Sequence, residues 1–255
     1  MKNNKVSLFL NTEVGFNVAY YLLNDKNIFI DQVFLCGHYN KIDNKIKKLF
    51  FDKKTSIYEN VDKTSTSEII ELNKNSSFFI CVYWPFLLSK SDLDKSFETI
   101  NFHPAYLPIN RGWYPHVHSI IDGSKIGVTL HRITIGPDQG DIWVQKEINY
   151  AIETSVLDLY KTLQDEIFKL FVSNWSKILN KKINPTPQDI RTGNYHKKNE
   201  IDELDFIDLE NKETLKLINI LRARSFGDKG YAYIINNNGE KVFLNLRLSK
   251  KQIFN

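Results

Sequence analysis

The chain alternates short, uninterrupted hydrophobic runs with longer stretches in which hydrophobic residues recur at helical spacing. Runs at 5–11, 31–37 and 76–84 each end at polar residues, a glycine or a proline, as buried strands do. Amphipathic stretches such as 14–25 and 155–179 predict helices. Continuous hydrophobic strands that alternate with amphipathic helices indicate a parallel sheet covered on both faces. The predicted fold class is α/β, a doubly wound, mostly parallel, Rossmann-like sheet.

The pattern changes in the C-terminal third of the chain. Residues 180–206 are polar and interrupted by prolines and a glycine, which indicates an extended excursion over the surface. A helical pattern at 211–223 precedes two alternating runs around Asn-Asn-Asn-Gly in 231–248, which predict a β-hairpin. An isolated hairpin is marginally stable, so it must pack on the main domain or on a second subunit. The predicted organisation is an N-terminal catalytic domain over 1–182, an extended linker over 183–210, and over 211–255 a small C-terminal helix plus β-hairpin that pairs two subunits.

Composition and charge narrow the functional classes. The 255 residues carry a formal net charge of +4, without the concentrated basic stripe typical of nucleic-acid binders. Cys36 and Cys81 lie in hydrophobic runs, which indicates reduced core thiols and a cytoplasmic protein. The N-terminal residues do not resemble a secretory leader, and no hydrophobic run approaches the roughly 20 residues that span a bilayer. We therefore expect a soluble cytoplasmic protein with neither a nucleic-acid nor a membrane partner.

The stretch INFHPAYLPINRGWYP at 100–115 carries the first candidate chemistry. Asn101 and His103 are two residues apart in a predicted strand, so their side chains share one face. Pro104 cannot donate to a ladder and ends the strand, which places the pair at its carboxyl edge. Ligands of open parallel sheets bind at that edge. An Asn-x-His pair also arises by accident, so the pair alone does not define a site.

A second polar loop follows the next major strand. GPDQGD supplies Asp138 between Pro137 and Gly140, and Asp141 stands three residues further on. Asp in Pro-Asp-x-Gly is also ordinary turn chemistry, so Asp138 has a structural interpretation as well as a chemical one.

These two motifs together resemble the folate-dependent formyltransferase family. NFHPAYLPINRG followed by GVTLHRITIGPDQGDI is similar to the family's active-site pattern, an Asn-x-His pair and then an Asp in an Asp-x-Gly loop, and the resemblance covers about residues 75–225. The separation from Asn101 to the aspartate is about one residue shorter than in the family, which leaves Asp138 and Asp141 both open and Asp138 preferred. NRGWYPHVHSIIDG is most similar to the bacterial dTDP-amino-sugar N-formyltransferases, and the C-terminal hairpin resembles a reduced form of the family's larger C-terminal module.

The resemblance implies a reaction and a role for each of the three residues. A sugar amine attacks the formyl carbon of 10-formyltetrahydrofolate, the co-substrate, and a tetrahedral intermediate with a negative oxygen forms. Asn101 would stabilise that oxygen, and one such donor is typically worth about 2.7–4 kcal/mol. His103 would assist proton transfer near neutral pH, and Asp138 would orient the imidazole. This chemistry needs no metal.

The resemblance also places the folate. Trp84, Pro85 and Phe86 follow a predicted strand and correspond to the family's pterin pocket, although core packing explains them equally well. Gly140 and Asp141 are expected to line the same pocket through their backbone.

Four further residues are candidates for contacts with the nucleotide-sugar. Arg111 and Tyr114 follow the Asn-x-His motif, although an exposed Arg is usually only solvated. Asn11 and Thr12 open a predicted helix whose free N–H groups suit an anion, without a true phosphate-binding fingerprint.

A metal site is the weaker interpretation of the histidines. His116 and His118 do not share one face of a helix, and His131 stands beside Arg132 in a strand. No nearby cysteine or acidic trio completes a ligand set, so we predict no metal.

The acceptor expected from overall resemblance is dTDP-4-amino-4,6-dideoxyglucose, formylated for surface polysaccharide (O-antigen) biosynthesis. The alternatives are a 3-amino sugar nucleotide, glycinamide ribonucleotide, an aminoacyl-tRNA, or a non-catalytic folate- or nucleotide-binding protein. A homodimer formed through the C-terminal hairpin is expected.

Overall fold

The structure is a computed structural model that describes residues 4–38, 40–72, 76–204, 210–226 and 228–249. Its main sheet is built from seven strands, which are β1 (Asn4–Leu10), β2 (Ile28–Leu35), β3 (Ser56–Tyr58), β4 (Ser76–Val82), β5 (Ser96–His103), β7 (Gly127–His131) and β8 (Ile142–Glu147). Two short strands, β6 (Arg111–Gly112) and β9 (Tyr195–His196), pair with each other in parallel.

Helices connect these strands. They are α1 (Thr12–Leu23), α2 (Asn40–Leu49), α3 (Lys63–Leu72), α4 (Lys90–Leu93), α5 (Pro115–Asp122) and α6 (Val156–Leu179), with a 3-10 turn at Ile190–Thr192. Helices α7 (Glu200–Leu204) and α8 (Lys212–Ala223) follow, and after them β10 (Ser225–Phe226), β11 (Lys229–Gly230), β12 (Ala232–Ile235) and β13 (Lys241–Leu244).

The strand order is β3-β2-β1-β4-β5-β7-β8, which confirms the predicted α/β fold class. The first five strands in that order are parallel, and β7 and β8 add an antiparallel edge. The chain moves outward from β1 to β3 and then returns to the other side of β1 to form β4. This reversal creates a switch point between β1 and β4, where the carboxyl ends of the strands leave a crevice.

Alternation along the strands separates the two faces of the sheet. Phe78 packs against Trp175 of α6, with ring centroids 5.3 Å apart, and Phe102 packs against Phe171 of the same helix at 5.0 Å. Phe79, one residue after Phe78, turns to the opposite face and stacks edge-on against Phe9 at 5.2 Å. Helices on both faces bury these aromatic rings, as expected for a doubly wound sheet.

Helix α6 forms where the longest amphipathic pattern predicted it. Its buried residues recur at three- and four-residue intervals, so one stripe faces the sheet. They are Leu159, Leu163, Ile167, Phe171, Trp175 and Ile178. Trp175 also donates its indole N–H to Asp25 Oδ2 at 2.8 Å, which satisfies the polar atom of a buried ring.

Residue contacts divide the chain into two units, the first formed by 1–149 and 156–198 and the second by 150–155 and 199–255. The part of the predicted linker at 183–198 belongs to the first unit, because Thr186 pairs with Ile142 and β9 pairs with β6. Within the second unit, β12 and β13 form the predicted antiparallel hairpin, with Ala232 opposite Leu244 and Ile235 opposite Lys241. In the described part of the chain, every helix is too short or too polar to cross a lipid bilayer.

Several elements differ from the expectation. Helix α1 begins at Thr12, two residues before the predicted start, because the Asn11 side chain caps it by accepting a hydrogen bond from the Thr12 N–H. Strands β3, β6 and β9 were not predicted because two or three residues carry no measurable periodicity. Their existence depends on a neighbouring strand, which is a tertiary property.

Candidate active site

A cavity of about 620 Å³ opens at the carboxyl edge of the sheet, at the switch point between β1 and β4. Residues that follow successive parallel strands line it, among them Asn11 after β1, His38 after β2 and Trp84 after β4. His103, the last residue of β5, also lines it. The cavity therefore occupies the place where doubly wound sheets bind ligands.

Asn101, His103 and Asp138 meet in this cavity. Asn101 is opposite Cys81 in the sheet register, and with His103 it occupies the face away from Phe102 and α6. The Asn101 Nδ2 donates to Asp138 Oδ1 at 3.3 Å, and His103 Nδ1 lies 3.5 Å from the same oxygen. His103 Nε2 is buried and has no hydrogen-bond partner among the described residues. The imidazole thus turns one nitrogen toward the carboxylate and leaves the other available.

The loop after β7 holds Asp138 in position. Its backbone has a φ of 52°, which is rare for a non-glycine residue and requires support from its surroundings. Asp138 Oδ2 accepts a hydrogen bond from the Gly112 N–H at 3.0 Å. Gln188 Nε2 donates to the backbone oxygens of Asp138 at 2.9 Å and of Gly140 at 2.6 Å. Side chain and backbone of Asp138 are therefore both fixed.

Gly112 fits its place because it lacks a side chain. Its φ is +90°, and a Cβ at this position would lie 2.3 Å from the backbone oxygen of His196. The pairing of β6 with β9 produces this close approach. A glycine at position 112 therefore permits the β6–β9 pairing, and the same residue donates its N–H to Asp138.

The structure separates the two aspartates between which the sequence left a choice. Asp141 lies outside the cavity lining, where its carboxylate is 3.4 Å from the Arg132 guanidinium and its backbone oxygen accepts from the Arg132 N–H at 2.8 Å. Gly140 is also outside the lining, and a Cβ there would be 2.0 Å from the Arg132 backbone oxygen. Both residues close the loop that carries Asp138.

Burial and charge set the protonation of the trio. Burial is the largest influence on His103 and lowers its pKa below the ordinary value, although the nearby Asp138 carboxylate opposes the shift. Burial by itself would raise the pKa of Asp138, but the neighbouring imidazoles of His103 and His131 and the hydrogen bond from the Gly112 N–H outweigh it and hold that pKa well below its usual range. At neutral pH the site therefore holds a neutral imidazole beside a carboxylate.

His131 belongs to this site, although the sequence suggested only a weak metal ligand. It stands opposite Asn101 in the β5–β7 register, and its Nε2 lies 3.0 Å from Asn101 Nδ2 and 3.4 Å from Asp138 Oδ1. Its Nδ1 is 2.6 Å from the Arg132 backbone oxygen, which only accepts, so Nδ1 carries the proton. In the neutral ring, Nε2 then accepts from the Asn101 amide and orients it.

One wall of the cavity is hydrophobic. Trp84 packs edge-on against Phe9 at 5.7 Å and against Phe86 at 5.5 Å, and Pro85 lines the cavity between them in sequence. The Trp84 indole N–H is buried without a hydrogen-bond partner in the described ranges. A hydrophobic wall that offers one unused donor suits a flat heteroaromatic ligand.

A second part of the cavity lining, called the aromatic and polar wall, contains aromatic rings and polar side chains. Tyr114 lines it with a φ of 52°, next to Trp113, whose ring lies 5.1 Å below the Lys198 ammonium. His116 and Tyr160 continue this wall, with ring centroids 5.0 Å apart. The sequence did not single out Trp113, Tyr160 or Lys198, and nothing in local periodicity identifies them.

Arg111 does not line the cavity, in contrast to Tyr114. It was expected to contact the nucleotide-sugar, but only 8% of it is exposed, and it lies in β6, which pairs with β9. The structure therefore brings Tyr114 into the cavity lining and leaves Arg111 outside it.

The beginning of α1 completes the lining. Asn11 Nδ2 donates to the Tyr83 backbone oxygen at 3.1 Å, so this amide ties the end of β1 to the end of β4. Thr12 has a φ of 60°, and its hydroxyl is buried with no partner in the part of the chain described. Both residues line the cavity, and their contact with the nucleotide-sugar stays a prediction.

Two protein-family models match this chain. A family model described as Formyl transferase matches residues 28–174, more than half of the chain. A second model, described as N-formyltransferase dimerization C-terminal domain, matches residues 200–250.

Individual proteins that resemble this chain are also named as formyltransferases. The chain is 32% identical over 154 residues to a dTDP-4-amino-4,6-dideoxyglucose formyltransferase of Mycobacterium tuberculosis, and the match covers 60% of this chain and 65% of that relative, less than two thirds of its length. A 4-N formyltransferase from Francisella tularensis superposes with a TM-score of 0.70 at 25% identity, over 98% of this chain and 100% of the other. A formyltransferase from Anoxybacillus kamchatkensis, solved with UDP-4,6-dideoxy-4-formamido-L-AltNAc and tetrahydrofolate, superposes with a TM-score of 0.53 at 25% identity over 72% of this chain and 95% of the other.

Proposed function

Because this chain belongs to the formyl transferase family, we propose that it transfers a formyl group from 10-formyltetrahydrofolate to the amino group of a dTDP-linked amino-dideoxy sugar. The observation that carries the proposal is the trio at the switch point, in which Asp138 faces His103 Nδ1 and Nε2 has no hydrogen-bond partner in the described part of the chain. A buried imidazole with one nitrogen beside a carboxylate and the other facing a cavity is arranged for proton transfer.

His103 takes the proton in this reaction. The co-substrate supplies an electrophilic formyl carbon bound to N10 of the folate, and the sugar amine attacks that carbon. His103 Nε2 accepts the proton that the amine loses as the new C–N bond forms, since its lowered pKa keeps the ring neutral beforehand. The bond from the formyl carbon to N10 then breaks, and the same proton passes to N10. The products are the N-formylated sugar and tetrahydrofolate, and no redox partner is needed.

Asn101 stabilises the oxyanion. Its amide makes two hydrogen bonds, to His131 at 3.0 Å and to Asp138 at 3.3 Å, and the longer of these is the one that a negatively charged substrate oxygen would replace. Asp138 is then released to engage the His103 imidazolium that forms at the same moment. One oxyanion donor of this kind contributes about 2.7–4 kcal/mol to a barrier.

The two walls of the cavity suit two different ligands. Trp84, Pro85 and Phe86 form the hydrophobic wall, and we assign the pterin of the folate to it; the relative from Anoxybacillus kamchatkensis was solved with tetrahydrofolate. Gly140 and Asp141, also expected at the folate, would act indirectly by shaping the Asp138 loop.

We assign the nucleotide-sugar to the aromatic and polar wall. Tyr114 lines that wall, Lys198 supplies a cation for a diphosphate, and Asn11 and Thr12 present the amino end of α1 to the same cavity. Arg111 would contribute to this wall only by supporting β6. The best candidate acceptor is dTDP-4-amino-4,6-dideoxyglucose, by likeness to the mycobacterial relative, and surface polysaccharide (O-antigen) synthesis is the corresponding role.

The second unit supports assembly of two subunits. Tyr233 and Phe243 face each other across the hairpin with ring centroids 5.9 Å apart, and both are exposed, as is Ile235. Exposed aromatic and branched residues on a two-stranded hairpin favour burial against another surface. The match to a dimerization domain model supports a homodimer formed through the hairpin.

Mass spectrometry tests the activity and the acceptor together. The protein is incubated with 10-formyltetrahydrofolate and either dTDP-4-amino-4,6-dideoxyglucose or its 3-amino isomer, and the mass of one added formyl group is sought. We expect an adduct on the 4-amino sugar, and none with the His103→Asn variant. Absence of adduct on both sugars, in folded protein that binds tetrahydrofolate, would reject the sugar acceptor. Glycinamide ribonucleotide and aminoacyl-tRNA would then be tried.

A further inference from the structure

Two buried polar atoms on the aromatic and polar wall have no role in the mechanism above. Tyr83 and His116 both line the cavity, and neither the buried Tyr83 hydroxyl nor the buried His116 Nδ1 has a hydrogen-bond partner in the ranges that the structure describes. Buried polar groups in folded proteins are nearly always hydrogen-bonded, so an exception in a cavity indicates a bound ligand. His103 Nε2, the proposed catalytic nitrogen, is an exception of the same kind.

The backbone directs Tyr83 away from its neighbour. Tyr83 has a φ of 53°, in the left-handed region that L-residues seldom adopt, and it directly follows the last residue of β4. Its neighbour Trp84 packs its indole on Phe9 on the hydrophobic wall. The ionisation of the Tyr83 phenol is affected by Tyr160, on α6. Backbone strain at a cavity is a sign of function when the surroundings maintain it.

Tyr160 interacts with both residues. Its ring centroid is 5.0 Å from that of His116, with an angle of 36° between the planes, and its charge affects the ionisation of Tyr83. Three elements, β4, α5 and α6, therefore bring Tyr83, His116 and Tyr160 to one part of the cavity wall. We call these three residues the tyrosine–histidine subsite.

The chemistry of the subsite favours an uncharged ligand group. Burial, followed by the charge of His118, lowers the pKa of His116 to about 4, so the ring is neutral at pH 7. Burial, followed by Tyr160, raises the pKa of Tyr83, so its phenol keeps its proton. A neutral imidazole nitrogen and a phenolic O–H pair well with a hydroxyl, which both donates and accepts. A diphosphate would instead require cations, such as Lys198 further along the wall.

We propose that the Tyr83 hydroxyl and His116 Nδ1 hydrogen-bond a ring hydroxyl of the acceptor sugar and thereby determine which amino sugar is formylated. The proposal rests on the proposed function, because it assumes that the acceptor wall holds a sugar. A site built to hydrogen-bond a hydroxyl strongly rejects analogues that lack it, since its buried polar atoms are then left unpaired. Tyr83 and His116 are therefore specificity-determining residues, and they take no part in proton transfer.

Steady-state kinetics of Tyr83→Phe and His116→Phe test this assignment, because both changes keep the ring and remove the polar atom. We expect each variant to raise the KM for the amino sugar about 10-fold and to leave the KM for 10-formyltetrahydrofolate within about twofold. Tyr106→Phe is the matched control, since Tyr106 carries a phenol outside the cavity lining, under Lys125. A rise in the folate KM, or no change in either KM, would overturn the proposal.

Deoxy analogues of the acceptor identify the hydroxyl. The 2-deoxy and 3-deoxy forms of the dTDP-4-amino sugar are compared on wild-type protein and both variants. For the analogue that lacks the bound hydroxyl, wild type and variants should have the same KM within about twofold. If the variants remain weaker than wild type on both analogues, the hydroxyl assignment is wrong.

Calorimetric titration separates this proposal from the proposed function. The dTDP-4-amino sugar is titrated into wild-type, Tyr83→Phe and His116→Phe protein in the presence of tetrahydrofolate, which has no formyl group to transfer. Weaker binding to both variants supports the subsite even if no formyl transfer is ever observed, in which case only the function fails. Equal binding to all three proteins rejects the subsite even if formyl transfer is observed.

Discussion

Two polar networks are centred on buried residues at the two ends of the segment between β5 and β6, and they differ in their hydrogen bonding. The first is centred on Asn110, which is fully buried. Its Nδ2 donates to the hydroxyls of Ser119 at 2.8 Å and Ser124 at 2.9 Å, and its Oδ1 accepts from Asn194 Nδ2 at 2.7 Å. Its backbone N–H donates to Asn194 Oδ1 at 2.6 Å. The side-chain amide and the backbone N–H of Asn110 are thus all used within the protein.

The second network is the trio of Asn101, His103 and Asp138, which leaves His103 Nε2 without a protein partner in the described residues. Each network has a buried residue at its centre, Asn110 or His103, and both contain amides, so the burial of the central residue and the residue types do not distinguish them. The difference is that the first network is complete and the second has one atom left for a ligand. A complete network stabilises a fold, and an incomplete one at a cavity indicates chemistry.

The largest expected effect comes from His103→Asn, which removes the unused nitrogen from the incomplete network. We expect kcat to fall by about 10³-fold, since a positioned general base typically contributes 10²–10⁴-fold. The thermal midpoint should change little, because His103 Nε2 has no hydrogen-bond partner among the residues that the structure describes. Formyl transfer is measured by mass spectrometry, with circular dichroism melts and tetrahydrofolate binding as controls. Activity within tenfold of wild type would show that His103 is not the base.

Asn110→Leu should have the opposite profile, because it disrupts the complete network. Leucine is similar in size and leaves Ser119, Ser124 and Asn194 without their shared partner, so we expect a loss of about 3 kcal/mol in the free energy of unfolding. Urea unfolding followed by tryptophan fluorescence measures the loss. Ser124→Ala, which removes one hydroxyl at the partly buried rim, is the matched control and should lose about 1 kcal/mol. Equal losses in both variants would contradict the central place of Asn110.

His116, whose Nδ1 also has no hydrogen-bond partner in the described residues, should make the stability of the protein depend on pH. Its pKa in the folded protein is lowered to about 4, below the value of roughly 6.5 in the unfolded chain. Between these two pKa values the unfolded state binds more protons than the folded state. The contribution of His116 to the free energy of unfolding is therefore fully present above pH 6.5 and is lost progressively as the pH falls toward 4. At pH 5 this term amounts to about 2 kcal/mol. Wild type should thus lose about 2 kcal/mol more than His116→Gln between pH 7 and pH 5 in urea unfolding, and equal losses would contradict the shift.

The incomplete network was largely predictable from sequence, and the complete one was not. Asn101 and His103 lie on one strand, so period-two alternation was enough to place them on one face, and Pro104 marked the end of the strand. Asp138 followed from resemblance to a known motif. Asn110 and Asn194 are 84 positions apart and meet only because β6 pairs with β9, two strands of two residues each. No local pattern predicts such a pair.

The same reason explains why other site residues were missed. His131 faces Asn101 because β7 inserts antiparallel beside β5, and strand order is a tertiary outcome. Lys198 reaches Trp113 from the segment predicted as a linker, whose polar composition indicated only a surface path. Arg111 was expected to contact the nucleotide-sugar and is instead buried in β6, which pairs with β9. Sequence patterns predicted what each strand presents, and pairing between distant segments determined what surrounds it.

Gln188 connects this distant pairing to the chemistry and gives the smallest of the expected effects. Its amide donates to the backbone oxygens of Asp138 and Gly140, so it fixes the loop without touching a substrate. Gln188→Glu replaces that donor by an acceptor of the same shape, which should displace Asp138 and lower kcat about 10-fold while the KM for both substrates stays within about twofold. Because a displaced Asp138 supports the His103 imidazolium less well, the acidic limb of the kcat profile should also move to lower pH. A purely structural glutamine would change stability and leave that limb in place, so the pH profile decides whether Gln188 positions the catalytic aspartate.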